Sequence, residues 1–429
     1  MLDLLIKGAV LKGRQGEWDI ACKDGKIIEV SNRIAGAAVE EIDAQGNFVT
    51  APFVDSHFHM DATLTYGRPR VNQSGTLLEG IALWSELKPH LTFEDIQDRA
   101  RTLCRWAVAK GNLAIRTHVD ICDSTLLAVR ALLEVREEMR PFIDIQLVAF
   151  PQDGYFRYPA AEKLLKEALD LGVDVVGGIP HFERTMGEGA RSVTALCELA
   201  AERGLLVDMH CDETDDPMSR HVETLAFETE RLGLQGRVSG SHLTSMHSMD
   251  NYYVGKLLAL MAEAQLSAIA NPLINITIQG RMETYPKRRG MTRVKEMVER
   301  GINVAFGHDC VMDPWYSFGS HDMLEVAQMG LHVGQMTGID QTLAVFDAVT
   351  SSAAKALNLD GYGIEPGCNA DLVILQASDP IEAIRLRANR LFVIRRGRVI
   401  ARTPETLTEV FLDDADKSVG FRQRELPSQ

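Results

Sequence analysis

The chain has 429 residues, 45% of them hydrophobic, and a formal net charge of −15 at pH 7. That length suits one large domain plus a small one, and the acidic balance argues against a nucleic-acid backbone as the main partner, because counterion release needs clustered Lys and Arg. No apolar run approaches the ~20 residues of a membrane span, and the seven cysteines are scattered without a Cys-x-x-Cys pair, so neither a zinc ribbon nor a disulfide framework is indicated.

The N-terminal stretch Met1–Gly8 is too soon interrupted by charge for a signal peptide. With the scattered free thiols, this predicts a cytoplasmic protein. Short strands separated by Gly turns follow at Leu4–Val10, Trp18–Cys22, Lys26–Val30, Glu40–Asp43 and Asn47–Thr50, with Asp24-Gly25 as a hairpin signal. The style returns near the C-terminus, at Ala370–Leu375 and Leu391–Ala401. Two such sets flanking a different middle predict one small β-sandwich domain built from both termini, residues 1–50 and 361–429. The polar tail from Asp413 to Gln429 reads as a packed arm or a partly disordered one.

The middle, residues 51–360, has another rhythm. Apolar, β-branched runs fall at Phe53–His59, Ala114–Ile121, Asp144–Phe150, Val173–Ile179, Leu205–Asp212, Val238–Thr244, Ser267–Pro272 and Asn303–Cys310. After a longer first interval they recur roughly every 30 residues, one βα unit per repeat, with helical periodicity between them, as at 127–136 and 160–169. Eight such units predict an α/β fold, a (β/α)8 TIM barrel. An open doubly wound sheet explains less, because no Gly-x-Gly-x-x-Gly turn follows an early strand.

Barrel chemistry sits at the C-terminal ends of the strands. Those ends here carry His57 and His59, His118 and Asp120, Gln152, His181, His210 and Glu213, His242, Asn271, and His308 and Asp309. Side chains at i and i+2 of a strand point the same way, so His57 and His59 can face one cation. With His210 and Asp309 they would make a nitrogen-rich site with one carboxylate and room for water. Glu213, three residues after His210, can reach the same cavity as a proton shuttle, and His242 can orient the water. His118 reads mainly as a supporting residue, and His181 as either a pocket wall or a loop histidine. The basic run Lys287-Arg288-Arg289 reads as a solvated or ion-paired loop.

These strand-end residues resemble the amidohydrolase superfamily. Within it, Asn72-Gln-Ser-Gly-Thr76, Phe150-Pro-Gln-Asp-Gly154, His210-Cys-Asp-Glu213, Ser241-His242, Tyr285-Pro-Lys-Arg-Arg-Gly290 and Phe306-Gly-His-Asp309 are similar to the bacterial cytosine deaminases. The resemblance implies one Zn²⁺ or Fe²⁺ per subunit, since the fourth strand, Val173–Pro180, has no lysine to bridge a second ion. It implies hydrolytic deamination of a cytosine free base. Water activated by the cation and oriented by His242 gives a proton to Asp309 and attacks C4, while Glu213 protonates N3 and ammonia leaves. Gln152 would pair with ring O2 and N1–H, and Trp315, or more weakly Leu77, would pack against the ring.

One position departs from the family pattern. Where such deaminases carry two successive aspartates after the strand-eight histidine, this chain has Asp309-Cys310. By the resemblance, Cys310 lies near the pyrimidine C5 edge, and a small, nearly apolar thiol there favours 5-methylcytosine. The alternatives are another aminated heterocycle (isoguanine, isocytosine or an s-triazine) and, in a different class, a catalytically silent barrel scaffold. The expected partner is a small nucleobase, with no nucleic acid or membrane, and self-association is left open.

Overall fold

The structure is a computed structural model that describes residues 1–411, 418, 419 and 421. Most of the Asp413–Gln429 tail therefore lies outside the described residues. The chain divides into two compact units. One comprises Met1–Phe53, Ala107–Leu113 and the chain from Leu359 on; the other comprises Val54–Trp106 and Ala114–Asn358.

The smaller unit is built on one hydrogen-bonded sheet of eight strands. From the N-terminal segment come β1 (Leu2–Leu11), β2 (Glu17–Lys23), β3 (Lys26–Ser31), β4 (Ala38–Asp43) and β5 (Phe48–Thr50). The later segment returns to pair with β5 in the order given below. Strand β1 alternates its side chains: Leu4 and Ile6 join the main apolar cluster, whereas Leu5 packs on the opposite face with Ile34. Residues from both ends of the chain, Ile20 and Ile42 with Leu372, Ile374 and Ile394, share that main cluster. The small β domain expected from both termini is thus present, built on an eight-stranded sheet to which both ends of the chain contribute.

The larger unit is the barrel. Its strands are β6 (Phe53–Phe58), β7 (Asn112–Asp120), β8 (Asp144–Phe150), β9 (Val175–Gly178), β10 (Leu206–Cys211), β11 (Val238–His242), β12 (Ser267–Ala270) and β13 (Val304–Phe306). They neighbour one another in sequence order. Every residue of β6 and β7 is buried, as expected where helices cover a parallel sheet. The first and last strands close on each other just past β13. The Asp309 amide donates to the His57 carbonyl at 2.8 Å, and the His59 amide donates to the Asp309 carbonyl at 3.0 Å. Closure itself therefore sets His57, His59 and Asp309 side by side.

Strands β14 (Leu372–Leu375), β15 (Arg390–Arg395) and β16 (Arg398–Arg402) complete the smaller sheet in the order β16-β15-β14-β5-β1-β2-β3, with β4 beside β1, and the short strands β17 (Thr408–Glu409) and β18 (Ser418–Val419) form a separate antiparallel pair.

Below the strand ends the barrel interior holds a polar layer. Arg116, 1% exposed, pairs with Asp208 at 2.9 Å and also donates to Gln146, Ser239 and the Ala356 carbonyl. Asp208 accepts the Ser241 hydroxyl at 2.6 Å. A buried charge survives only when paired and hydrogen-bonded. This network meets that condition while tying β7, β10 and β11 together two residues below His118, two below His210 and one below His242. Among the described residues no helix is long and apolar enough to cross a membrane.

Candidate active site

Four imidazoles and two carboxylates converge at the C-terminal mouth of the barrel. His59 Nε2 lies 3.1 Å from His210 Nε2 and 3.5 Å from Asp309 Oδ1. His57 Nε2 is 3.7 Å from the same oxygen. On the other side, His242 places Nε2 3.7 Å from Asp309 Oδ2 and Nδ1 3.4 Å from Glu213 Oε1. His242 and Asp309 both adopt positive φ, +71° and +68°. Such left-handed backbone is uncommon for residues with a Cβ, and it collects at functional sites.

The donors fit a cation. His57 is fully buried, and neither of its ring nitrogens has a hydrogen-bond partner; His210 Nδ1 also lacks one. Ligand atoms ~2.0–2.2 Å from one ion cannot lie more than about 4.4 Å apart, and the His59–His210, His59–Asp309 and His57–Asp309 separations of 3.1, 3.5 and 3.7 Å fall inside that bound. Burial drives the histidines neutral, His59 down to about 3, and neighbouring imidazoles push His57 and His210 further in the same direction. Neutral imidazole is the form that binds metal. Burial, then the Glu213 charge, holds Asp309 well above the usual carboxylate range; a divalent ion beside it would reverse that shift. Burial pushes Glu213 up to about 8, so its carboxyl carries a proton near neutrality.

A cavity of about 280 Å³ opens onto this cluster. His59, His210, Glu213, His242 and Asp309 line it, as do Gln152, Leu77, Cys310 and Trp315. The structure thus brings the site residues expected from the sequence together in one place, with His57 buried behind them. His181 also lines the cavity and donates from Nδ1 to the His210 carbonyl at 3.0 Å. His118 stays beneath, 4.1 Å from His57 between ring centroids and 3.7 Å from Asp208. In the Lys287–Arg289 run, Arg288 is paired with Glu283 at 2.7 Å and Arg289 donates to the Val333 carbonyl.

Local chemistry explains how the walls are held. The Thr76 hydroxyl caps the helix Leu77–Leu87 by accepting from the Glu79 amide. Asn72 donates to the Thr76 carbonyl at 3.2 Å and to the Pro314 carbonyl at 3.1 Å, so one amide sets the start of the Leu77 helix against the Trp315 loop. Asp313 fixes that loop by accepting the amides of Trp315 and Tyr316. Gly307 is required by close approach, because a Cβ there would sit 2.6 Å from His57 Cβ and 2.7 Å from its carbonyl oxygen.

Several contributors were not legible beforehand. Asp55, two residues before His57, accepts the amides of His57 and His308 and the His321 imidazole at 2.8 Å. Asn275 donates to His242. Ile81, Met186 and Ile278 add apolar wall. The only available signals were an acid inside a buried strand and an asparagine four residues after Asn271.

The comparisons with known proteins decide the family. The Amidohydrolase family model matches residues 40–403. The chain belongs to this family. It is 32% identical over 93% of its length, and 97% of the relative's, to N-isopropylammelide isopropyl amidohydrolase of Pseudomonas sp. (strain ADP). It is 29% identical to the pterin deaminase of Rhizobium rhizogenes over 90% of this chain and 88% of that one. Among solved structures, 5-methylcytosine deaminase from Klebsiella pneumoniae liganded with phosphonocytosine is 42% identical with a TM-score of 0.91, covering 94% of this chain and 99% of that chain. Like other members of the family, the protein is a metal-dependent hydrolase acting on carbon–nitrogen bonds.

Proposed function

We propose that the protein deaminates free cytosine bases hydrolytically, with 5-methylcytosine the preferred substrate, giving thymine and ammonia. The observation that carries this reading is the shared cavity: the buried carboxyl of Glu213, the amide of Gln152 and the thiol of Cys310 face the same space as the histidine–aspartate cluster. The Klebsiella pneumoniae structures with phosphonocytosine and with 5-fluorocytosine support the substrate class.

In this reading His57, His59, His210 and Asp309 hold one Zn²⁺ or Fe²⁺, whose Lewis acidity makes water nucleophilic near neutral pH. Gln152 offers a donor and an acceptor in fixed order, so it pairs with ring O2 and N1–H and orients the pyrimidine. Asp309 takes the proton of the attacking water, and His242 steadies the oxygen that attacks C4. Glu213 protonates N3, which prevents negative charge from accumulating on the ring, and a further proton relayed to the exocyclic nitrogen lets ammonia leave. Trp315 and Leu77 pack against the ring. Cys310, 2% exposed and kept neutral by burial, supplies a small apolar neighbour for a C5 methyl group.

The test is kcat/KM for cytosine, 5-methylcytosine, isocytosine and isoguanine, with metal analysis of the same preparation. Preference for 5-methylcytosine with one ion per chain is expected; turnover of none of the four overturns the reading. A second reading, removal of an alkylamine from an s-triazine, is favoured by the 32% identical Pseudomonas relative. N-isopropylammelide in the same assay separates the two.

A further inference from the structure

His242 is hydrogen-bonded by residues that can set which of its ring nitrogens carries the proton. Asn275 Nδ2 lies 3.0 Å from His242 Nδ1. The orientation of that amide is not arbitrary. Asn275 Oδ1 accepts the backbone N–H of Asn271 at 3.1 Å, and a backbone N–H can only donate. The oxygen of Asn275 must therefore face Asn271, which leaves its NH₂ facing His242. An NH₂ group can only donate, so Nδ1 must be the acceptor and carry no proton. Neutral imidazole then bears its hydrogen on Nε2, which points toward Asp309 Oδ2 at 3.7 Å. Asn271 does not discriminate, because its Nδ2 lies 3.3 Å from Nδ1 and 3.4 Å from Nε2.

We infer that Asn275 is a positioning residue that locks His242 as the Nε2–H tautomer, so that His242 acts on the reacting oxygen as a hydrogen-bond donor and never as its base. The inference rests on the deaminase reading for its consequence, though not for the tautomer itself. Three local features make the lock rigid. Asn275, fully buried, sits on the helix Pro272–Ile278, whose first turn is pinned by the Asn271–Asn275 contact. A Cβ at Gly290 would overlap the Asn275 carbonyl oxygen and sit 2.7 Å from Gln279 Cβ, so the loop after the helix packs directly on this residue. His242 is held at φ +71° at the end of its strand, with Nδ1 against Asn275 of that helix. The division of labour follows: proton removal from water falls to Asp309, while His242 stabilises charge on the oxygen as it attacks.

The experiment combines ¹⁵N-histidine NMR of the Zn²⁺-loaded enzyme with steady-state kinetics on 5-methylcytosine. His242 resonances are assigned by their loss in His242→Asn. In the wild-type protein the expected signature is a protonated Nε2 and an unprotonated Nδ1. Asn275→Asp keeps an acceptor for the Asn271 amide but presents only acceptors to His242. It should move the proton to Nδ1 and lower kcat about 10²–10⁴-fold, the range for loss of a correctly protonated catalytic histidine. KM should change less than about threefold, because Asn275 does not line the cavity. A wild-type Nδ1–H signature overturns the inference even if the variant fails to fold, as does an Asn275→Asp enzyme that retains kcat. Absence of cytosine turnover with the Nε2–H signature present would instead defeat the substrate reading and leave the tautomer lock standing.

Discussion

His59 and His210 stand 151 residues apart in sequence, yet their Nε2 atoms lie 3.1 Å from each other. Two neutral imidazoles can share one hydrogen bond at that distance, or both can turn lone pairs on a common cation. The orphaned nitrogens of His57 beside them favour the second arrangement. Chelation should therefore leave the site with crowded, unsatisfied donors. Metal-free protein should unfold at lower temperature, by an amount set by linkage: about 4 kcal/mol when free ion exceeds its Kd a thousandfold. His210→Ala should lose the bound metal and with it the stabilisation by added Zn²⁺. Metal analysis and thermal melts with and without chelator check this; a full complement of metal in His210→Ala would remove His210 from the ligand set.

Glu213→Gln should lower kcat roughly 10²–10⁴-fold while metal content stays the same, because the substitution removes a proton donor without touching a ligand. Single-turnover kinetics with metal analysis is the measurement. Retained activity would show that N3 protonation comes from elsewhere.

Trp315 packs so closely on the Leu77–Leu87 helix that a Cβ at Gly80 would overlap its Cδ1. On an isolated helix Gly80→Ala would be favourable by about 1 kcal/mol. Here the added methyl must displace the indole, at an overpacking cost of about 1–3 kcal/mol. We expect KM for 5-methylcytosine to rise roughly tenfold, since 1.4 kcal/mol is a factor of ten, with little loss of thermal stability. An unchanged KM would show that the indole does not contact the base.

Cys310→Asp restores a carboxylate beside the position assigned to the C5 substituent. The ratio of kcat/KM for 5-methylcytosine over cytosine should fall by roughly 10–200-fold, the discrimination available from one methyl group in an apolar pocket. A ratio that does not move would place the C5 edge elsewhere in the cavity.

Outside the reaction itself, His221 Nδ1 meets Asp212 Oδ1 at 2.6 Å. Burial pulls the His221 pKa down, but the Asp212 hydrogen bond and charge outweigh it and leave it above the ordinary value of 6.5. A pKa raised on folding contributes stability that is complete below about 6.5 and is lost as pH rises through the folded value. His221→Phe should consequently cost more stability at pH 5.5 than at pH 9, with a loss of roughly 1.5–3 kcal/mol at the lower pH. Denaturant melts at the two pH values check the sign; an equal loss at both would mean that packing, not charge, is what His221 supplies.

The barrel was legible because its strands are continuous apolar runs at even spacing, and both properties are local. Asp144–Phe150 was read with its observed bounds, and the other strands differ from the runs by a few residues at their ends. The ligand candidates were legible for a related reason: a polar residue at the end of an apolar strand has no packing role to account for it. What the local pattern could not convey is which distant groups complete each residue's hydrogen bonds. Asp55 reads as a strand aspartate, and only closure of the barrel brings the His321 imidazole, 266 residues on, to its carboxylate. Gly80 reads as a weak point in a helix until Trp315 arrives on top of it. By itself the sequence determined the eight-stranded scaffold and the identity of the polar strand ends, since periodicity and solvent exclusion act along the chain. The tertiary structure alone decided how those ends are oriented, from the amide of Asn275 to the tautomer of His242, because a hydrogen bond's direction depends on atoms that meet only after the chain has folded.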